Sequence, residues 1–452
     1  MCLQLFAPSA PKFAVAPAAR LPPGGRGAKR PQMTAPQAHP FSIPDFRFYW
    51  TARLASTVAQ MGMVIVIGWQ VYDIARESMN MRDAALQLGL IGVVQFVPLF
   101  LLTLVTGLAA DRLDRRLIAR ASIGLEIFCA ATLGWLAWTG ATTLTALFVV
   151  AGLLGVARAF AGPALSALAP NLVPREILPK AIALSSIAWQ SGAIVGPALG
   201  GYLYAIAPHM PYTVSGCLFA LSLFCMFMIG PKPRSAITGS RNPWRQMIDG
   251  LHYVRQNRLV LGAISLDLFA VLLGGATAML PIFARDILMV GPEGLGHLRA
   301  APALGATLTA IWFSWKPLKS NVGVKMLAAV GVFGAATIVF GLSRWMPLSL
   351  FCLALLGAAD MLSVFVRQSL IQLYTPDEMR GRVGAASTLF ISASNELGEA
   401  ESGFLAAVIG PVTAVVAGGI GAIAVTLLWA KWFPELRNAR SFDPPDDKPK
   451  EG

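Results

Sequence analysis

A succession of long apolar runs leaves this chain little freedom in how it folds. Twelve follow one another, at about 48–74, 86–110, 117–138, 142–166, 180–207, 211–230, 259–284, 295–315, 323–343, 346–372, 382–409 and 411–433. Each has at least the roughly 20 residues that span a bilayer's hydrocarbon core. In lipid no water is at hand for the backbone, so a spanning run must satisfy its own N–H and C=O groups, and a helix does this within one segment. The predicted class is therefore an all-α membrane protein with twelve transmembrane helices. Composition agrees, since 56% of residues are hydrophobic and 13% charged, against about 25% charged in soluble domains.

The polar remainder divides the chain. Residues 1–46 are rich in Pro, Ala, Gly and Arg and are predicted to be a disordered cytoplasmic segment. Met33 is an alternative initiator within it. The expected order is then a six-helix bundle over 47–230, a cytoplasmic linker over 231–258, a second bundle over 259–433, and a disordered tail over 434–452. The first run long enough to insert begins near Phe48, so no secretory signal peptide is expected. The formal net charge of +13 sits in short loops between apolar runs, which argues against a nucleic-acid partner. One set of loops holds Arg112, Arg115, Arg116 and Arg120, Arg175 and Lys180, all the Lys and Arg of the linker, Lys316, Lys319 and Lys325, and Arg380 and Arg382. The opposite set holds only Arg76, Arg82, Arg285, Arg299 and Arg344. The positive-inside rule puts the richer set, and with it both termini, in the cytoplasm.

The chain also repeats itself with an offset of 202 residues, from Leu153 to Leu355. Leu153-Leu-Gly-Val-Ala157 becomes Leu355-Leu-Gly-Ala-Ala359, Pro174 and Glu176 become Pro376 and Glu378, and Gly196 and Gly201 become Gly398 and Gly403. Two six-helix halves in parallel orientation, with a substrate site between them near the midplane, are a known transporter plan. Within the fifth run, Gly192, Gly196 and Gly200 recur every four residues. They form a smooth stripe on which another helix can lie closely, and Pro197 removes a backbone donor and bends the helix.

Several motifs resemble those of the major facilitator superfamily. Gly192-Ala-Ile-Val-Gly196-Pro197-Ala-Leu-Gly200-Gly201 looks like the fifth-helix antiporter motif of its exporters. Gly107-Leu-Ala-Ala-Asp111-Arg112-Leu-Asp114-Arg115-Arg116 resembles its signature loop, with Asp114 in place of the usual glycine. Leu154, Arg158 and Gly162 approximate its fourth-helix motif. Arg53-Leu-Ala-Ser-Thr57, Gly68-Trp-Gln-Val-Tyr-Asp73, Thr375-Pro-Asp-Glu-Met-Arg-Gly-Arg382 and Asn395-Glu-Leu-Gly398 are similar to the branch containing bacterial enterobactin exporters and macrolide-efflux permeases. The resemblance implies two pseudo-symmetric halves, with runs one, four, seven and ten lining the path. It also implies that Asp111 and the arginines Arg112, Arg115 and Arg116 gate the cytoplasmic side.

Charges inside membrane spans are costly, about 2.5–3.5 kcal/mol on insertion scales, and mark functional positions. The candidates for the transport pathway and proton coupling are Arg53, Glu126, Arg158, Asp267, Asp360, Arg367, Asn395, Glu396 and Glu399. A carboxylate in a low-dielectric cavity favours its protonated form. Asp267, Asp360 and Glu399 are the preferred carriers in that order, and Glu401 is expected on another face of its helix as a structural partner. Trp69, Tyr72, Trp135 and Trp138 fit interfacial belts.

Five cysteines lie apart with no metal-type spacing, and the histidines are few, so neither a metal site nor a disulfide is expected. No Gly-Lys-Ser/Thr phosphate loop is present, so ATP is not expected to power the protein, no cofactor is expected, and no enzyme motif stands out. The leading expectation is a monomeric, proton-coupled exporter of a small organic molecule, such as a siderophore or an amphiphilic drug, in the bacterial inner membrane. Sodium is the alternative ion. An importer or facilitator is the alternative direction, and a transport-inactive sensor or scaffold the alternative class.

Overall fold

Helices account for nearly all of the computed structural model, which describes residues 39–112, 114–174, 177–230, 243–316, 318 and 320–440. We number the long helices α1 Pro44–Ser78, α2 Met81–Arg112, α3 Arg115–Trp138, α4 Leu144–Leu172, α5 Leu178–Ile206, α6 Met210–Met228 and α7 Pro243–Gln256. They continue as α8 Arg258–Leu273, α9 Gly291–Trp315, α10 Val322–Leu342, α11 Met346–Tyr374, α12 Asp377–Ile409 and α13 Pro411–Trp432. Among the described residues, ten helical segments are long and apolar enough to cross a membrane. The more polar α9 and α12 have 25 and 33 residues, so at 1.5 Å per residue they too have the length. Leu101, Phe128, Phe224, Leu308 and Leu427 are each more than half exposed, as a lipid-facing surface requires.

Packing reproduces the internal repeat. In the first set, α1 packs on α5 and α6, α2 on α4, and α3 on α4 and α6. In the second, α8 packs on α12 and α13, α9 on α11, and α10 on α11 and α13. The sets meet through α2 against α12 and α5 against α9. Replacing α1–α6 by α8–α13 turns each of these pairs into another. We call the end of the bundle at which α1 begins proximal, and the end at which α1 finishes distal.

Glycine decides how closely the helices approach. A Cβ on Gly192 would lie 2.7 Å from Thr57 Cβ, one on Gly196 2.7 Å from the Val58 carbonyl, and one on Gly200 2.9 Å from the Gly62 carbonyl. The stripe therefore seats α5 directly on the backbone of α1. Gly201 faces the other way, where its Cβ would strike the Pro292 carbonyl and lie 3.0 Å from Gly296 Cα on α9. Tyr49–Ser185 at 2.9 Å ties α1 to α5, and Ser222 to the Ala52 carbonyl at 2.9 Å and Tyr212 to Gln70 at 2.6 Å tie α6 to α1.

Three sequence expectations need correction, and the linker gains a helix. The seventh run is not one helix: after α8 it breaks at Gly274-Gly275, continues as a 3₁₀ turn Ala276–Met279 and a short turn Leu280–Ile282, and ends as a π-helical turn Phe283–Ile287. Two adjacent glycines and Pro281 supply the weak point. The linker holds the amphipathic α7, where Gly250 lies against the Arg382 carbonyl of α12 and Asp249 pairs with Arg382 at 3.1 Å. The tail continues in order to Arg440 through the turn Pro434–Arg437, because Asn321 N donates to the Arg440 carbonyl at 2.6 Å. Within the segment expected to be disordered, the turn Pro40–Ser42 packs Phe41 on Phe46 and Trp50. Residues 1–38, 231–242 and 441–452 lie outside the described residues.

At the distal end α2 and α12 cross backbone to backbone. A Cβ on Gly89 would lie 2.9 Å from Gly403 Cα, and one on Gly403 would lie 3.3 Å from the Ala85 carbonyl. Gly403→Val should therefore force these helices apart. We expect a cost of about 1–3 kcal/mol from overpacking, read as a lower unfolding temperature in detergent. An unchanged unfolding temperature would contradict this crossing.

Candidate functional site

Where the two sets meet they line a small cavity. Its lining is Val64, Ile65 and Gly68 from α1; Leu88, Ile91, Gly92 and Gln95 from α2; Thr277, Ala278 and Pro281 from the broken segment; Arg299 from α9; and Glu399 from α12. Its volume is about 50 Å³, enough for a few waters. A larger solute can enter only if the sets separate. The wall is mostly apolar, with a few polar groups that converge. Arg299 donates to the Thr277 carbonyl at 3.1 Å and meets Glu399 at a loose 3.5 Å. Both side chains stay partly open to the cavity. Gln95 accepts from Arg158 at 3.3 Å, so Arg158 acts on the cavity through that amide. Behind it, the fully buried Glu126 accepts from Gln60 at 3.2 Å, and its second oxygen has no hydrogen-bond partner.

The distal side of this cavity is shut by a crossed set of charges. Asp286 accepts a short hydrogen bond from Tyr72 and pairs with Arg76 at 3.0 Å. Its neighbour Arg285 pairs with Asp73 at 2.7 Å. Asp73 and Arg76 end α1, while Arg285 and Asp286 lie in the π-helical turn of the second set, so each set offers one acid and one base. Tyr202 on α5 hydrogen-bonds His297 on α9 nearby. A hydrophobic core also runs across the sets at this end, from Val71 and Ala75 to Leu280, Phe283 and Leu298. Tyr72 and Trp69 are buried in it, at 0% and 6% exposure, which corrects their assignment to an interfacial belt. Trp135 and Trp138 are exposed at 61% and 69%.

The family model described as transmembrane secretion effector matches residues 35–447. The chain belongs to that family, within the major facilitator superfamily. It is 28% identical over 415 residues to the enterobactin exporter EntS of Citrobacter koseri, covering 90% of this chain and 96% of that one. It is 27% identical over 409 residues to EntS of Shigella boydii, covering 89% and 94%. Among solved structures it superposes on a bacterial homolog of the human lysosomal transporter Spinster, in an inward-facing and occupied conformation. The TM-score is 0.67 at 14% identity, with 87% of this chain and 97% of that one covered. A D-xylose–proton symporter gives 0.67 at 13% identity, covering 88% and 99%. These structural likenesses show the fold. The protein is a multi-pass membrane transporter of small molecules, and not an enzyme.

The positions singled out in the sequence fall into separate groups. Glu399 lines the cavity, Arg158 reaches it through Gln95, and Glu126 lies behind on Gln60. Asp267 and Arg367 form a buried ion pair inside the second set. Asp360 lies in the wall of a second cavity beside Asp267. Arg53 sits at the proximal end of α1 with its Nε buried and without a hydrogen-bond partner. Asn395 is exposed. Glu401 is partly buried, with one oxygen lacking a hydrogen-bond partner. Gly107, Asp111 and Arg112 close α2 and Glu396 lies in α12, but their side chains fall outside the described residues.

Arg115 and Arg116 open α3. Arg116 grips Asp114 at 2.7 Å and donates to the Ile229 carbonyl at 3.2 Å, tying the loop to the end of α6. Asp114 in turn caps α3, accepting from Arg116 N at 2.9 Å. Its bonds to Arg116 hold its carboxyl below the ordinary carboxylate range. An acid thus has local work here where the signature loop usually carries glycine.

Sequence reasoning missed Gln60, Gln95 and the distal cluster, and it counted Arg76, Arg285 and Arg299 merely as loop charges. Arg299 lies inside α9. The available signal was Asp73 and Arg76 at helical spacing next to Tyr72. Partly exposed ion pairs contribute only about 0.2–1 kcal/mol each, so the distal cluster should be breakable in a working cycle. Asp286→Ala removes two bonds at once. We expect it to raise severalfold the rate at which a maleimide reagent, added from the distal side, labels a cysteine placed at Gln95. The exchanged pair Asp73→Arg with Arg285→Asp should label at the parental rate. Equal labelling in Asp286→Ala and its parent would refute this closure.

Proposed function

We propose that the protein exports a small organic molecule across the bacterial inner membrane by alternating access, driven by the proton gradient. The observation that carries this reading is the cavity between the two helix sets, shut at one end by bonds weak enough to break. It is too small for a solute while that end is closed, so a transported molecule requires rearrangement. The proximal end carries the basic loops and is the cytoplasmic end by the positive-inside rule. The closed distal end then faces outward, and the entrance from the cytoplasm is the proximal end, which has to open before a molecule can load.

The substrate class is drawn from the relatives, which carry the name enterobactin exporter. A siderophore is the first candidate and an amphiphilic drug the second. The mostly apolar wall, with Gln95, Arg299 and Glu399 as its polar points, suits an amphiphilic molecule bearing acidic or hydroxyl groups. Asp267, Asp360 and Glu399 are the candidate proton carriers, with sodium as the alternative ion. The loop at Gly107, Asp111, Arg112, Arg115 and Arg116 is the candidate cytoplasmic gate, and Gly192, Gly196, Pro197, Gly200 and Gly201 form the helix-five element on which α5 moves against α1 and α9. One chain suffices for this cycle.

The test uses inside-out vesicles with an acidic lumen and labelled enterobactin added outside. Uptake should exceed equilibrium and collapse on adding a protonophore. Asp267→Asn should lose this uphill uptake while keeping counterflow exchange, because a neutral side chain no longer binds protons differently in the two conformations. Uptake that stops at equilibrium in the parent protein would mark a facilitator and overturn the coupled reading.

A further inference from the structure

The second set lines a cavity of its own, away from the one between the sets. Its lining is Asp267, Ala270 and Val271 from α8, Val330 and Phe333 from α10, and Ala359, Asp360 and Ser363 from α11. Its volume is about 10 Å³, room for one water-sized guest. Asp267 is 5% exposed and forms an ion pair with Arg367, which is 2% exposed. Among the described residues the lining carries no charged group other than Asp267 and the partly buried Asp360, and no hydrogen bond or ion pair between described residues takes up the Asp360 carboxylate. The Ser363 hydroxyl is 2% exposed, lies in the same wall and has no hydrogen-bond partner. A buried hydroxyl in that state costs free energy unless something fills the space beside it.

Charge counting identifies the guest. Among the described residues, two carboxylates and one guanidinium leave one negative charge in a cavity whose remaining wall is apolar but for the Ser363 hydroxyl. An uncompensated charge in such a place is expensive. One monovalent cation makes the cluster neutral, whereas a divalent ion would leave it positive by one. The space is too small for a hydrated ion.

We propose that this cavity is a single-cation site, formed by the Asp267 and Asp360 carboxylates and the Ser363 hydroxyl, with Arg367 as the fixed internal counter-charge. The guest is one unit of positive charge, either a proton held on a carboxylate or a bare sodium ion held by the three oxygens. The assignment of this site to ion coupling rests on the export reading above. Its occupancy does not, and is measured without any transported molecule. A chain that binds the cation but exports nothing would defeat the export reading and leave this one intact.

The experiment uses the full chain in lipid nanodiscs. Binding of ²²Na⁺ is counted by scintillation proximity, and protonated carboxyl groups are followed by their infrared C=O band as pH is varied. The parent protein should take up one cation per chain in one of these assays. Asp360→Asn and Asp267→Asn each bring the cluster to neutrality, and each should weaken that uptake at least tenfold. The double variant Asp267→Asn with Arg367→Gln restores one net negative charge and should recover it. Ser363→Ala separates the two guests: it should weaken sodium binding and leave a proton band unchanged. All variants are first matched to the parent in elution and unfolding temperature. Should the double variant fail that match, the two single variants decide. The proposal is overturned if the parent shows neither sodium uptake nor a titrating carboxyl band, or if Asp360→Asn binds as the parent does.

Discussion

Backbone contact through glycine is the constraint on which the rest of this structure depends. Helices in lipid gain no hydrophobic drive from one another, so van der Waals packing and interhelical hydrogen bonds must hold them. Here α5 lies on α1 through Gly192, Gly196 and Gly200, and α2 meets α12 through Gly89 and Gly403. These contacts bring Arg299 and Glu399 to the same cavity as Gln95. They also place the last turn of α1 within reach of Asp286. Thicker side chains at these crossings would separate every polar group the site uses.

The charges obey a different economy from those of a soluble protein. Pairs at the distal end, Arg76–Asp286 and Arg285–Asp73, stay partly accessible to water and join two bodies. The pair Asp267–Arg367 is almost wholly buried and joins two helices of one body. Exposed pairs of the first kind are cheap to break and suit a gate. A buried pair costs several kcal/mol to leave unmatched, so it suits a place whose total charge is regulated by a guest. The difference follows from depth: the distal pairs sit at helix ends, whereas Asp267 and Arg367 lie well inside α8 and α11.

Much of the fold was legible because lipid makes apolar length and small-residue spacing direct structural signals. The stripe from Gly192 to Gly200 packed as its spacing implied, and the offset between Leu153 and Leu355 reappeared as paired helix contacts. The break after α8 was not read, since Gly274-Gly275 and Pro281 sit in an apolar run that counts as one span. Arg299 was counted as a loop charge because it stands one or two turns inside a helix with a polar start. Gln60 and Gln95 were invisible because neutral amides carry no charge to count, though in a mostly apolar wall an amide is a strong hydrogen-bonding group. Tyr72 looked interfacial by position, and only its partner on a distant segment, Asp286, shows why it is buried.

The central claim is that the two helix sets rock about the cavity between them, opening one end as the other closes. Paired spin labels read this directly. One pair would span the distal tips of α1 and α9, and another the proximal ends of α5 and α11, with distances measured by double electron–electron resonance in nanodiscs. On adding substrate or changing pH, the account predicts that the distal distance grows while the proximal distance shrinks, in the same fraction of molecules. Distances that stay fixed at both ends, or grow at both ends together, would contradict it.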